Sequence, residues 1–297
     1  MRRLVLAVLL FLAAPCFGTE PVRILIPSQD GKLQIPGFWF EAKTGAPRPA
    51  VISLHGCGGP YDGKGRLGPV YFRDAGYFGA EGMHLLAVDS FSPRGLKSVC
   101  EIPNARRTVT EDDRRDDVFA AIRWLAGQPG VDKSRIVILG RSHGAQTVLS
   151  VLDRTVSAVR AQPIQPRAAI ALYPGCSKLL KMVRYELGAP LLLMIGELDN
   201  WTPAKPCVAL QEKLRRAQPD TAFELAVYPG SYHGFDGLAP VKVRKNIGNL
   251  KSGEAMVGGN PEARWEAHQR TFDFVAAQLG VPLSLSHQER FQIGARN

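Results

Sequence analysis

The chain has 297 residues, of which 45% are hydrophobic and 22% charged, and a formal net charge of +10. This is ordinary globular composition, and the length suits one large domain or two small ones. The basic residues are scattered (Arg106-Arg107, Arg114-Arg115, Arg215-Arg216) and interrupted by acids such as Glu111-Asp112-Asp113. No basic stripe alternates with aromatics, which argues against nucleic-acid binding.

The first predicted element is a leader. Arg2 and Arg3 precede an apolar run over 4–14, followed by Pro15-Cys16-Phe17-Gly18. A positive start, a short apolar stretch and a small residue for cleavage read as a secretory signal over 1–18, leaving 19–297 as one domain. The run is too short for a spanning helix, which needs roughly 20 apolar residues. Pro15 is a poor acylation context for Cys16, so no stable membrane anchor is expected. The expected destination is periplasmic or secreted, by the general or the twin-arginine export route, of which Arg2-Arg3 without a further motif favours the general one. Without Arg2 and Arg3 the charge falls to about +8, a weak attraction for anionic substrates or surfaces.

Strands are predicted at 22–27, 33–41, 50–54, 85–89, 135–139, 168–173, 191–196 and 223–228. The later ones are near-continuous apolar runs, as parallel strands buried on both faces require. Helices are predicted at 111–127, capped by Thr108 or Thr110, at 145–152, at 203–217 and at 261–279. The alternation implies an α/β class with a mostly parallel eight-stranded sheet and helices on both faces. The stretch 237–259 carries Gly and Lys but few apolar residues, and reads as a surface excursion or lid rather than a second domain.

The chemistry concentrates where strands end. In "ILGRSHGAQ", 138–146, a strand stops at Ser142 with Gly140 and Gly144 on either side. This is the G-x-S-x-G elbow, in which glycines relieve a sharp turn and the serine stands at a helix N-terminus. A serine needs a base. Of the six histidines, His233 is the candidate, on the loop "PGSYHGFDG" after a strand. His143 sits beside the serine and contributes its backbone amide; His84, His268 and His287 read as ordinary strand-entry, helix and tail residues. "GELDNWTP" supplies the acid, Asp199, with Glu197 in reserve. The chain order Ser142, Asp199, His233 is that of α/β-hydrolases. A second oxyanion donor is expected from "LHGCGG", assigned to the amide of Cys57 with Gly58 as fallback, opposite that of His143. His55 and Cys57 have no second ligand pair, so no metal and no cofactor are expected. Trp201, Tyr232 and Phe235 flank the acid and base loops and read equally as pocket lining or packing.

Over 22–280 the chain resembles the dienelactone hydrolase family, through "LHGCGG", "VDSFSPRG", "GRSHGAQ", "YPGC", "GELDNWTPAKPC" and "YPGSYHGFD". The resemblance implies the α/β-hydrolase fold, Ser142, Asp199 and His233 as catalytic triad, and a small-molecule ester as substrate. The founding members carry cysteine as nucleophile, whereas this chain has Ser142, so a general carboxylic-ester hydrolase is implied instead of one for dienelactones. Four cysteines remain beyond the leader, and the strand order of such a fold implies the pairs Cys176–Cys207 and Cys57–Cys100. Two rival readings are a polyester depolymerase, feruloyl-type esterase or peptidase on the same fold, and a non-catalytic exported binding protein.

Overall fold

The computed structural model describes residues 20–42, 45–286 and 288–289. The leader predicted over 1–18, with Cys16, and the tail residue His287 lie outside them. Strands β1 (Val22–Pro27), β2 (Gln34–Phe40) and β3 (Arg48–Leu54) come first, and helix α1 (Pro69–Ala80) leads to β4 (His84–Val88). Helix α2 (Glu111–Ala126), β5 (Val131–Arg141), α3 (His143–Val151), α4 (Ser157–Arg160) and β6 (Ala168–Leu172) follow. After them come α5 (Ser177–Lys181), β7 (Leu191–Gly196), α6 (Ala204–Ala217) and β8 (Phe223–Tyr228). A hairpin of β9 (Lys242–Arg244) and β10 (Ala255–Val257) precedes the last long helix, α7 (Pro261–Leu279).

Eight strands form one sheet in the order β1-β2-β4-β3-β5-β6-β7-β8. β2 runs antiparallel to both its neighbours, and every pairing from β4 to β8 is parallel. Strands β4, β6 and β7 are buried along their whole length, which explains their unbroken apolar sequence, whereas edge strand β8 alternates. The strand order reverses direction at β3, which lies between β4 and β5. Loops leaving the carboxyl ends of β3 and β5 therefore diverge there and open a crevice.

Two helix starts show how the sequence sets these elements. Thr110, not Thr108, caps α2: its hydroxyl accepts from the Asp113 amide while the Asp113 carboxylate accepts from the Thr110 amide. Helix α1 was not among the predicted elements. Its buried face carries Arg73 and Asp74 beside Tyr71, Tyr77 and Phe78, so charge interrupts the apolar stripe, and Gly76 and Gly79 lower its helical propensity.

The excursion at 237–259 holds the β9–β10 hairpin. Ile247 and Ala255 pack with Cys57, Phe91, Val99, Cys100, Val109 and Trp201 into a small second core. Its members come from segments that follow β3, β4, β7 and β8, so this core covers the end of the sheet where the crevice opens. No helix among the described residues is long and apolar enough to cross a membrane.

Ile170, fully buried at the centre of β6 and paired on both sides, measures how tightly the main core is packed. Ile170→Ala is expected to lower unfolding free energy by about 2–5 kcal/mol, read as a shift of the urea midpoint at unchanged slope.

Candidate active site

The turn from β5 into α3 is shaped by crowding. A Cβ at Gly140 would run into the Gly144 carbonyl, and one at Gly144 would lie 2.5 Å from the Leu54 oxygen and 2.6 Å from that of His55. Only glycine fits either place, because α3 begins directly against the end of β3. Ser142, between them, takes φ 54° and ψ −116°, a left-handed setting that costs a non-glycine residue on the order of 1–3 kcal/mol. Its amide donates to Leu172 O at 2.9 Å, which fixes the turn against β6.

Three side chains meet at this turn. The Ser142 hydroxyl lies 2.9 Å from His233 Nε2, and His233 Nδ1 lies 2.8 Å from Asp199 Oδ2. Nδ1–H donating to the carboxylate leaves Nε2 to accept the hydroxyl proton, the tautomer a general base requires. Asp199 stands just past β7 and His233 past β8, and both are buried. The other carboxylate oxygen, Oδ1, accepts the amides of Trp201 and Thr202 at 2.9 and 2.8 Å. The Thr202 hydroxyl sits 2.9 Å from Oδ2 and 3.0 Å from Tyr173 O, bracing the acid from behind. Glu197, the reserve acid, is exposed and accepts the Gly230 amide at 3.0 Å, so it stays outside this chain of bonds. Thr202 was not predicted, although an acid followed three residues later by threonine is the pattern of such side-chain-closed turns.

Cys57 and His143 line the same cavity as Ser142, about 270 Å³ in volume. The cavity is also walled by Arg107, Lys178, Gln146 and Asn249, beside apolar Pro203 and Leu250, so its lining mixes polar and apolar groups. Trp201 lines it too and tilts over the His233 ring at 4.7 Å. Phe235 does not: it is fully buried and packs on Tyr173 and Tyr228 in the main core, which corrects its place among the pocket candidates. Tyr232 is half-buried and outside the cavity lining. An aromatic beside a motif carries no sign of which way its ring points. Disulfides join Cys57 to Cys100 and Cys176 to Cys207, with Cα–Cα distances of 4.9 and 5.0 Å. The first anchors the loop after β3 to the second core; the second joins the loop after β6 to α6.

Beneath the turn lies an ionic cluster. Arg141 Nε binds Asp236 at 2.7 Å and its two terminal nitrogens bind Asp74 at 2.7 and 3.1 Å. Arg73 reaches Asp236 at 3.1 Å, and the Tyr173 hydroxyl donates to it at 2.7 Å. Burial would raise the Asp236 carboxyl, but Arg141 and Arg73 outweigh it and hold that carboxyl below the usual range. His55 and His143 behave oppositely. Burial, reinforced by the Arg114 charge, pushes both imidazoles well below their ordinary 6.5, so both are neutral. His55 Nδ1 donates to Gly56 O at 2.8 Å, and its Nε2 accepts the Ser90 amide at 3.2 Å, which props the loop before Cys57.

Comparison with known proteins places this geometry in context. The model of the dienelactone hydrolase family matches residues 70–279. An uncharacterized protein of Mycobacterium tuberculosis is 27% identical over 222 residues, 71% of each chain. A crystal structure described as a putative dienelactone hydrolase from Klebsiella pneumoniae superposes with a TM-score of 0.59 at 20% identity, covering 86% of this chain and 97% of that one. A propionate-bound thermophilic esterase from Thermogutta terrifontis gives 0.60 at 20% identity over 90% and 97%. At such identity the two structures establish a shared fold.

Two outcomes follow from the site. Asp199→Asn keeps the shape of the acid but removes the carboxylate that accepts from His233 Nδ1–H, so any turnover that draws on His233 Nε2 as base is expected to fall about 10⁴-fold, read from kcat at neutral pH. His143, neutral when folded and free to protonate when unfolded, adds stability that is full above about pH 6.5 and is lost as pH falls towards its depressed folded value. His143→Gln is therefore expected to flatten the fall of the urea midpoint below about pH 6.5.

Proposed function

The chain belongs to the dienelactone hydrolase family, a family of carboxylic-ester hydrolases, and from that premise we propose that it cleaves small esters through a Ser142–His233–Asp199 triad and an acyl-enzyme. The observation that carries the reading is the unbroken run of hydrogen bonds from Ser142 Oγ through both nitrogens of His233 to Asp199, at 2.9 and 2.8 Å, on a strained turn. His233 takes the hydroxyl proton as Oγ attacks the ester carbonyl, and the carbonyl electron pair moves onto oxygen. The amides of Cys57 and His143 receive that oxyanion, the latter at the positive end of α3. Collapse expels the alcohol with the proton from His233. A water activated by the same imidazole then releases the acid.

The substrate is a small polar ester. A cavity of about 270 Å³ rimmed by Arg107, Lys178, Gln146 and Asn249 suits a compact molecule better than the wide apolar groove a polyester chain needs. On the same reading, 1–18 is a removed signal and 19–297 a single exported domain. The two disulfides support an oxidising compartment.

Labelling with a fluorophosphonate probe tests the proposal. Wild type is expected to label and Ser142→Ala to remain unlabelled, with ester turnover down on the order of 10⁶-fold in the variant. Equal labelling of both proteins would place the nucleophile elsewhere. A folded wild type inert to probe and esters would favour the binding-protein alternative.

A further inference from the structure

The sequence "EDDRRDD", 111–117, reads as a solvated charge run, yet one of its arginines points inward. Arg115 is partly buried and pairs with the exposed Asp112 and Asp116. Arg114 has no exposed surface and is the largest side chain so enclosed. Its acidic neighbours are engaged elsewhere. Asp113 closes the cap on Thr110, and Asp117 is gripped by both terminal nitrogens of Arg94 at 2.9 Å. Among the described residues, no carboxylate comes within 4.0 Å of the Arg114 guanidinium. An interior charge with no carboxylate bonded to it is expensive, and burial, only partly offset by Asp117, Glu111 and Asp89 at longer range, pushes this guanidinium down to about 10, still cationic at neutral pH.

What Arg114 does touch is specific. One terminal nitrogen donates to the His55 carbonyl at 2.7 Å and the other to His143 Nδ1 at 2.6 Å. His55 opens the loop that carries Cys57, and His143 opens α3. The guanidinium also lies over the Phe91 ring at 5.2 Å, and Phe91 packs edge-on against His55. A single rigid fork thus spans the two segments that bear the two proposed amide donors.

We propose that Arg114 is the positioning residue of the oxyanion hole, fixing the spacing of the Cys57 and His143 amides and holding a positive charge behind them that favours the anionic intermediate over the neutral ester. This rests on the proposed function. The neutral ester gains little from such a charge, whereas the tetrahedral adduct gains much, so the effect falls on kcat and not on KM. Nothing in the arrangement brings Arg114 to the substrate itself.

The test compares Arg114→Met and Arg114→Lys with wild type, using a short-chain ester and a trifluoromethyl ketone bearing the same acyl group. The ketone accepts Ser142 Oγ at its carbonyl carbon, the proton passes to His233, and an oxyanion remains in the hole. Arg114→Met is expected to lose about 10²–10³-fold in kcat with KM within about threefold, and to lose ketone affinity in the same proportion. Arg114→Lys, which keeps the charge but not the fork, is expected to recover about tenfold of that loss. A folded Arg114→Met with kcat near wild type overturns the proposal, as does a kcat loss without weaker ketone binding. Should the Met variant lack a cooperative melt, Arg114→Lys decides alone: a roughly tenfold kcat loss with matching ketone loss supports the proposal, and unchanged kcat overturns it. Fluorophosphonate labelling of wild type at Ser142 separates the two levels. If it labels and Arg114→Met is unaffected, only the role of Arg114 fails; if it does not label, the triad fails and the proposal with it.

Discussion

The turn between β5 and α3 has no room for a methyl group on either side of Ser142, and much of the site follows from that crowding. With Gly144 lying on the Leu54 and His55 carbonyls, α3 starts directly against the end of β3. The loop after β3 and the first residue of α3 are thereby neighbours, which is why Cys57 and His143 face one cavity. The strain at Ser142 is the local cost of the same packing, and it is spread over a strand, a helix and the Leu172 carbonyl that hold the turn.

A second constraint brings His233 to Ser142. His233 lies on a loop after an edge strand, and loops of that kind are ordinarily the mobile part of a sheet protein. Here Asp236, three residues on, is drawn into the interior by Arg141, the residue before Ser142, and by Arg73 of α1. Two arginines and two aspartates nearly balance in charge, so the cluster tolerates burial that a lone pair would tolerate poorly. The Gly258 amide adds a backbone bond to His233 O at 3.0 Å, so the segment after β10 ties down the same loop. Base and nucleophile are held by neighbours in sequence that never touch the proposed chemistry.

The sheet was legible because its inner strands are buried on both faces, leaving apolar runs that polar interruptions do not obscure. Strands 22–27, 191–196 and 223–228 have the predicted limits, while β5 begins earlier, at Val131, where Asp132, Lys133 and Ser134 hide its start. The meeting of Ser142, Asp199 and His233 could be anticipated because each ends a strand, and parallel strands deliver their carboxyl ends to one edge. What stayed hidden were residues whose burial contradicts their chemistry. Arg73 and Asp74 concealed α1, and Arg114 gave no sign of its burial because five acids flank the Arg114-Arg115 pair in sequence. For Phe235 both readings stood open, since apolar character suits a pocket wall and a core alike. Thr202 depends on side-chain-to-backbone closure, which composition does not register.

Trp201 has a consequence beyond its place in the cavity wall. Its indole is buried, its Nε1–H donates to Asn249 Oδ1 at 3.1 Å, and its ring rests on the imidazole of His233. Asn249 lies between β9 and β10, so one indole links the excursion to the imidazole. A displacement of that hairpin is therefore felt at His233 through Trp201, with no contact between Asn249 and the imidazole needed.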